Sequence, residues 1–282
     1  MKNLILISIL ILFSFNSTLS LAGKPNIPKG INQDTFCDKE REKYGHVIIL
    51  LDLTTDIDSA RKEFIKDQVF SEEFYLKYDP FTKFSYFLIN HNKFSENTFV
   101  FTKCRPKNGS SKSKKEKATM FENSKVLSSY FKRFYLASNK KFEEIFSTNK
   151  ESRYSYIYET IAYIFQNPKL DFASNQPFRE LIIVSDLMQN TTRLSFYNAC
   201  NANSSDAKCP TFKDFMKNLS DKDYLLATSP NGKDVDLQMI YLNYRKETNK
   251  EIDISLKNLW INYFKDQKFN VKKVITQLDI EY

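Results

Sequence analysis

The sequence predicts an α/β fold: a mostly parallel sheet with helices on both faces and one antiparallel edge strand. Two runs carry most of that prediction, HVIILLD at 46–52 and ELIIVSD at 180–186. Both are almost continuously apolar and both stop at an aspartate. Parallel strands covered on both faces read this way, and open α/β sheets bind ligands beyond the carboxyl ends of such strands. Strand-like and helix-like segments then alternate along the rest of the chain, which implies right-handed crossovers. Asp52 and Asp186 are therefore the first candidates for a functional site.

The 282 residues, 41% of them hydrophobic, suffice for one large domain with short appended segments. Lys2, the run LILISILILFSF and then Ser20-Leu21-Ala22 before Gly23 have the form of an export signal, expected to be cut after Ala22. Its apolar core falls short of the roughly 20 residues a spanning helix needs, so the mature chain is expected to carry no transmembrane helix. Residues 23–45 form an expected extended lead-in, and 46–282 the α/β domain. After the first strand, Ile57, Ala60, Phe64, Ile65 and Val69 have the three-and-four spacing of a helix, with Asp56 or Asp58 placed to cap it. FSYFLIN at 84–90 and TFVFTK at 98–103 read as an edge hairpin whose loop holds His91.

A long helix is expected between about 123 and 147, on Val126, Leu127, Tyr130, Phe131, Phe134, Phe142 and Ile145. Ser155 is expected in the first turn of another, carrying Ile157, Ile161, Ile164 and Phe165 and closed by Pro168. Asp186 then opens a turn at 187–192. DLQMIYLNY at 236–244 is strand-like, Ile252, Leu256, Leu259, Tyr263 and Phe264 form a helical face, and VKKVITQLDI at 271–280 supplies a last strand.

Four cysteines in an exported chain suggest two disulfides. Cys200 and Cys209 bracket a polar loop and are expected to close it, which leaves Cys37 for Cys104. The net charge is +8, much of it concentrated in SSKSKKEKAT at 110–119. Such a run is expected to be a solvated loop. It lacks the interleaved aromatics of a single-strand binder, and no nucleic-acid partner is predicted.

If Asp52 and Asp186 end adjacent strands, the following loops meet over one crevice, bringing Thr54, Asp56 and Ser155 to it. All five offer oxygen, a set that suits Mg²⁺, Mn²⁺ or Ca²⁺ and disfavours zinc. The plainer alternative has the aspartates capping turns and the hydroxyls bonding locally.

VIILLDLTTD, the later Ser155 and IIVSDLMQNT resemble the von Willebrand factor A-like family, whose metal-ion-dependent adhesion site combines D-x-S/T-x-S, a separate Thr and a separate Asp. Cys104-Arg105-Pro106, SDLMQNT and NLWINYF further resemble an exported bacterial subgroup of it. The resemblance covers most of 46–282 and implies a Rossmann-like strand order and a divalent metal. It places Asp52 on the first aspartate of the motif, Thr54 on its Ser/Thr, Ser155 on the separate Thr and Asp186 on the separate Asp. Asp56 stands where the pattern has serine, and Leu187 where it has glycine.

Three functions remain open at this level. One is an exported interaction domain that docks an acidic group of a protein partner on the metal. Another is a metal-dependent hydrolase or phosphoryl-transfer enzyme, although no nucleophile–base pair, P-loop or G-x-G-x-x-G is present and the chain has five glycines. The third is a metal-free structural subunit. On this ranking the chain is not expected to be an enzyme.

Overall fold

The computed structural model describes residues 30–89, 99–111, 113–120, 122–148, 151–170, 172, 176–201, 207–219, 231–242 and 250–276. The expected leader at 1–22, the hairpin loop with His91 and the end of the expected last strand lie outside the described residues. The strands are β1 (His46–Asp52), β2 (Lys83–Ile89), β3 (Phe99–Cys104), β4 (Arg179–Ser185), β5 (Asp236–Tyr241) and β6 (Asn270–Thr276). They form one sheet in the order β3-β2-β1-β4-β5-β6. Only β2 and β3 pair antiparallel; the other four pairings are parallel. The strand order reverses direction between β1 and β4, the place where a Rossmann-like sheet opens a crevice for a ligand.

Alternation along each strand divides the core in two. Val47, Ile49 and Leu51 of β1 face a layer holding Phe64, Val69, Tyr75, Phe134 and Phe142. Ile48 and Leu50 face the opposite layer, with Ile157, Ile161, Leu256, Trp260 and Phe264. The first layer is built by α1 (Ser59–Val69), α2 (Glu72–Leu76) and α3 (Ser124–Thr148), the second by α4 (Ile157–Gln166), α5 (Phe196–Ala199), α6 (Phe212–Lys217) and α7 (Lys250–Asp266). All seven residues of β1 are buried, and each large apolar side chain so enclosed contributes about 1.5–3 kcal/mol. Asp58, and not Asp56, caps α1, accepting from the Arg61 amide at 2.8 Å.

His46 starts β1 as expected and is buried, its Nε2 2.8 Å from the Ser85 hydroxyl. Burial, together with the nearby Lys83 charge, holds its pKa well below the ordinary value, so the ring is neutral. Cys37–Cys104 and Cys200–Cys209 form the two disulfides. The described part of the lead-in, residues 30–45, departs from the extended form expected of it. Residues 31–38 fold into a turn in which the Phe36 amide donates to the Asn32 carbonyl at 2.8 Å, and Phe36 packs into the core.

The basic loop is also more than a solvated run. Lys114, Lys115 and Lys117 are exposed, but Glu116 between them is buried. The Arg105 guanidinium forks onto it at 2.7 and 3.1 Å, and the Asn108 amide donates to it at 2.6 Å. A buried carboxylate needs such partners, and they fix the path of the loop.

Candidate functional site

β1 and β4 are adjacent and parallel, with Leu51 opposite Val184, so the next residues, Asp52 and Ser185, end side by side. The Asp52 carboxylate is the hub of a hydroxyl cluster. Its Oδ1 accepts from the Thr54 hydroxyl at 2.7 Å and the Thr54 amide at 3.3 Å. Its Oδ2 accepts from the Ser155 hydroxyl at 2.8 Å and the Ser185 hydroxyl at 2.7 Å. Each hydroxyl donates one proton and keeps lone pairs, so Thr54 and Ser155 are oriented by Asp52 while still able to face a cation.

Asp186 follows Ser185 at the strand end. Its Oδ1 accepts from the Met188 amide at 2.9 Å, whereas its Oδ2 is buried with no hydrogen-bond partner among the described residues. Burial pushes the Asp186 carboxyl up to about 8, helped by the negative charge of Asp52 and opposed by the Met188 amide and Arg61. Burial likewise raises Asp52, against the hydrogen bonds from Thr54, Ser185 and Ser155 that favour its ionised form. A buried pair of acids whose ionised forms would repel one another is an environment that a divalent cation relieves.

The loops hold this geometry from outside. Ser155 does not sit in the first turn of α4 but ahead of it, because its amide donates to the Asn190 carbonyl at 2.8 Å and its carbonyl accepts from the Asn190 amide at 2.9 Å. That exchange keeps Ser155 extended. The cap of α4 comes from elsewhere: the buried Gln189 side chain accepts from the Tyr158 amide at 3.0 Å and donates to Glu159 at 2.9 Å. The Ser152 amide donates to the Thr54 carbonyl at 3.0 Å, joining the loop after β1 to the one before α4.

Leu187 occupies the left-handed region with φ +60°, where a side chain is disfavoured by about 1–2 kcal/mol and glycine is not. Two contacts outweigh that cost. The Leu187 side chain is fully buried, and its carbonyl accepts from the Trp260 indole at 2.9 Å. We expect Leu187→Gly to destabilise the protein by about 2–3 kcal/mol, since lost burial exceeds relieved strain. Urea unfolding measures this, and a more stable variant would show that the backbone strain dominates.

Asp52, Thr54, Ser155 and Asp186 thus converge, and Asp56 stands apart. Its side chain is exposed and bonds none of the four, and its carbonyl accepts from the Arg61 guanidinium at 2.9 Å. Among the described residues no three His, Cys, Asp or Glu side chains gather as a metal-holding group. The acids of the cluster are therefore two, completed by hydroxyls. Ser185 belongs to the cluster although the sequence reading did not select it. Its signal was a small polar residue at the last place of a buried run. Gln189 gave no such signal.

No family model and no curated protein matches the chain. Among the solved structures to which the chain shows some similarity are two. One is an aerotolerance-related membrane protein from Bacteroides fragilis, 10% identical, with TM-score 0.36 over 82% of this chain and 90% of that one. The other is proximal thread matrix protein 1 of the mussel byssus, 10% identical, with TM-score 0.33 over 80% of this chain and 46% of that one. Such values carry neither the site nor its chemistry. The reading of the site rests on the cluster itself.

Proposed function

We propose that the chain is an exported, von Willebrand factor A-like interaction domain that docks an acidic group of a protein partner through a divalent cation, Mg²⁺ or else Mn²⁺ or Ca²⁺. The observation that carries this reading is the pairing of Asp186 Oδ2, buried and without a hydrogen-bond partner among the described residues, with an Asp52 carboxylate that aims two hydroxyls. Thr54 and Ser155 would present lone pairs to the cation, Asp186 would contribute charge, and Asp52 would hold the hydroxyls in place. Hard oxygen donors of this kind fit Mg²⁺, which retains waters and takes few protein ligands. A bound cation would supply a Lewis-acidic position for a carboxylate oxygen of the partner. The exposed Asp56 carboxylate, two residues beyond Thr54, would add negative potential that draws the cation in.

Two disulfides support an oxidising compartment, and among the described residues no helix is long and apolar enough to cross a membrane. A metal-free scaffold is the competing reading. It is favoured by the four hydrogen bonds that already satisfy Asp52 and by a protonated Asp186 at neutral pH. Calorimetric titration of the chelator-treated protein with Mg²⁺, Mn²⁺ and Ca²⁺ separates the two. Saturable binding is the expected result, and no binding by the folded protein would leave the scaffold.

A further inference from the structure

Beside the acid-and-hydroxyl cluster lies a polar cleft of about 530 Å³. One wall is the segment leading into Ser155, with Arg153 and Tyr154; the other is the turn after Asp186, with Asn190, Thr192, Ser195 and Asn198. The walls are tied together through backbone and side chain. Asn190 exchanges two backbone hydrogen bonds with Ser155, its side-chain amide donates to the Arg153 carbonyl at 2.6 Å, and it bridges onward to Ser195. The cleft is consequently preformed, which lowers the ordering cost of binding.

Its chemistry is one-sided. Hydroxyls, amides and phenols line it, no carboxylate does, and Arg153 is its single charged residue. Arg153 is exposed and has no ion-pair partner among the described residues. A guanidinium with no ion-pair partner among the described residues, in a cleft lined by no acid, is arranged to bind a carboxylate, often by donating two parallel hydrogen bonds. Only one residue separates it from Ser155, so at most about 7 Å of chain separates the two positions.

We infer that this cleft is a second anion-binding position for the same partner. The ligand is then an acidic peptide segment that delivers one carboxylate to the cluster and a nearby carboxylate to Arg153. The inference rests on the metal-assisted reading for its first contact and on the cleft alone for its second. Selectivity for paired acids over a lone acid follows from having two linked positions.

The test uses a fluorescein-labelled hexaglutamate peptide, with hexaglutamine as control, followed by anisotropy in Mg²⁺ and in EDTA. Hexaglutamate should bind in Mg²⁺ and hexaglutamine should not. Arg153→Glu should weaken hexaglutamate binding about tenfold at low salt, and Arg153→Lys should keep part of it, with Mg²⁺ titration of both variants unchanged. Equal hexaglutamate affinity in Arg153→Glu and the unsubstituted protein, or no hexaglutamate binding at all, would overturn the inference. Failure of the metal reading looks different: Mg²⁺ would not bind, and any Arg153-dependent binding would persist unchanged in EDTA.

Discussion

Replacing Asp52 with asparagine should weaken Mg²⁺ binding by about ten- to a hundredfold while leaving the fold intact. Asparagine matches the shape of aspartate but loses its charge. Its Oδ1 can still accept from Thr54, and its Nδ2 can donate to Ser155 and Ser185 once their hydroxyls rotate. Charge and hydroxyl alignment, which the cation needs, are both lost. Asp52→Ala should behave differently. It deletes the acceptor of three buried hydroxyls, at 2.7, 2.8 and 2.7 Å, and opens a small void. Unsatisfied buried donors cost about 1–3 kcal/mol each, so a loss of about 3–5 kcal/mol is expected after partial repacking. Calorimetry on Asp52→Asn and urea unfolding of both variants form the check. Wild-type Mg²⁺ affinity in Asp52→Asn would sink the metal reading. An Asp52→Ala protein as stable as wild type would show that the hydroxyls find other acceptors.

How much of this was legible in the sequence depends on how local each determinant is. β1 and β4 were visible because strands buried on both faces need unbroken apolar runs, and Asp52 and Asp186 were visible as the residues that end them. Their side-by-side placement followed from treating the two runs as neighbours in a parallel sheet. The short helices α2, α5 and α6 left too little periodicity to read, being four to six residues long, with only α2 and α6 capped by side chains, those of Ser71 and Thr211. Glu116 was hidden by the lysines around it, since its partner Arg105 lies eleven residues back. Ser155 was recognised as a site residue but placed one structural step too late, because the Asn190 exchange that holds it extended comes from a distant loop. Asp56 entered as an oxygen donor in the loop that follows the first apolar run, and its exposure follows from Asp58 taking the capping position. Leu187 in a left-handed turn could not be foreseen without Trp260, which bonds it from 73 residues away.

The Asp186 carboxyl predicts an inverted pH dependence. In the metal-free folded protein it holds its proton up to about 8, because burial and Asp52 disfavour the charge, while the unfolded chain releases that proton near the ordinary value of 3.8. Between those values the folded state binds more protons than the unfolded state, so stability falls as pH rises. The stabilising contribution is complete below the unfolded pKa and is gone once pH passes about 8. Asp52 is shifted in the same direction and steepens the trend. Metal reverses the preference, because a divalent cation requires the ionised pair. Mg²⁺ affinity should therefore strengthen as pH rises towards about 8, and binding should release a proton. The measurement is Tm in EDTA and in excess Mg²⁺ from about pH 5 to about pH 9, for the wild type and Asp186→Asn. In EDTA the wild type should lose stability relative to Asp186→Asn as pH rises, which cancels the contributions of all other carboxylates. In Mg²⁺ the wild type should regain that stability and the variant should not. Parallel pH profiles for the two proteins in EDTA would show that Asp186 is already ionised in the folded state. The electrostatic case for a cation at this sheet edge would then fall with it.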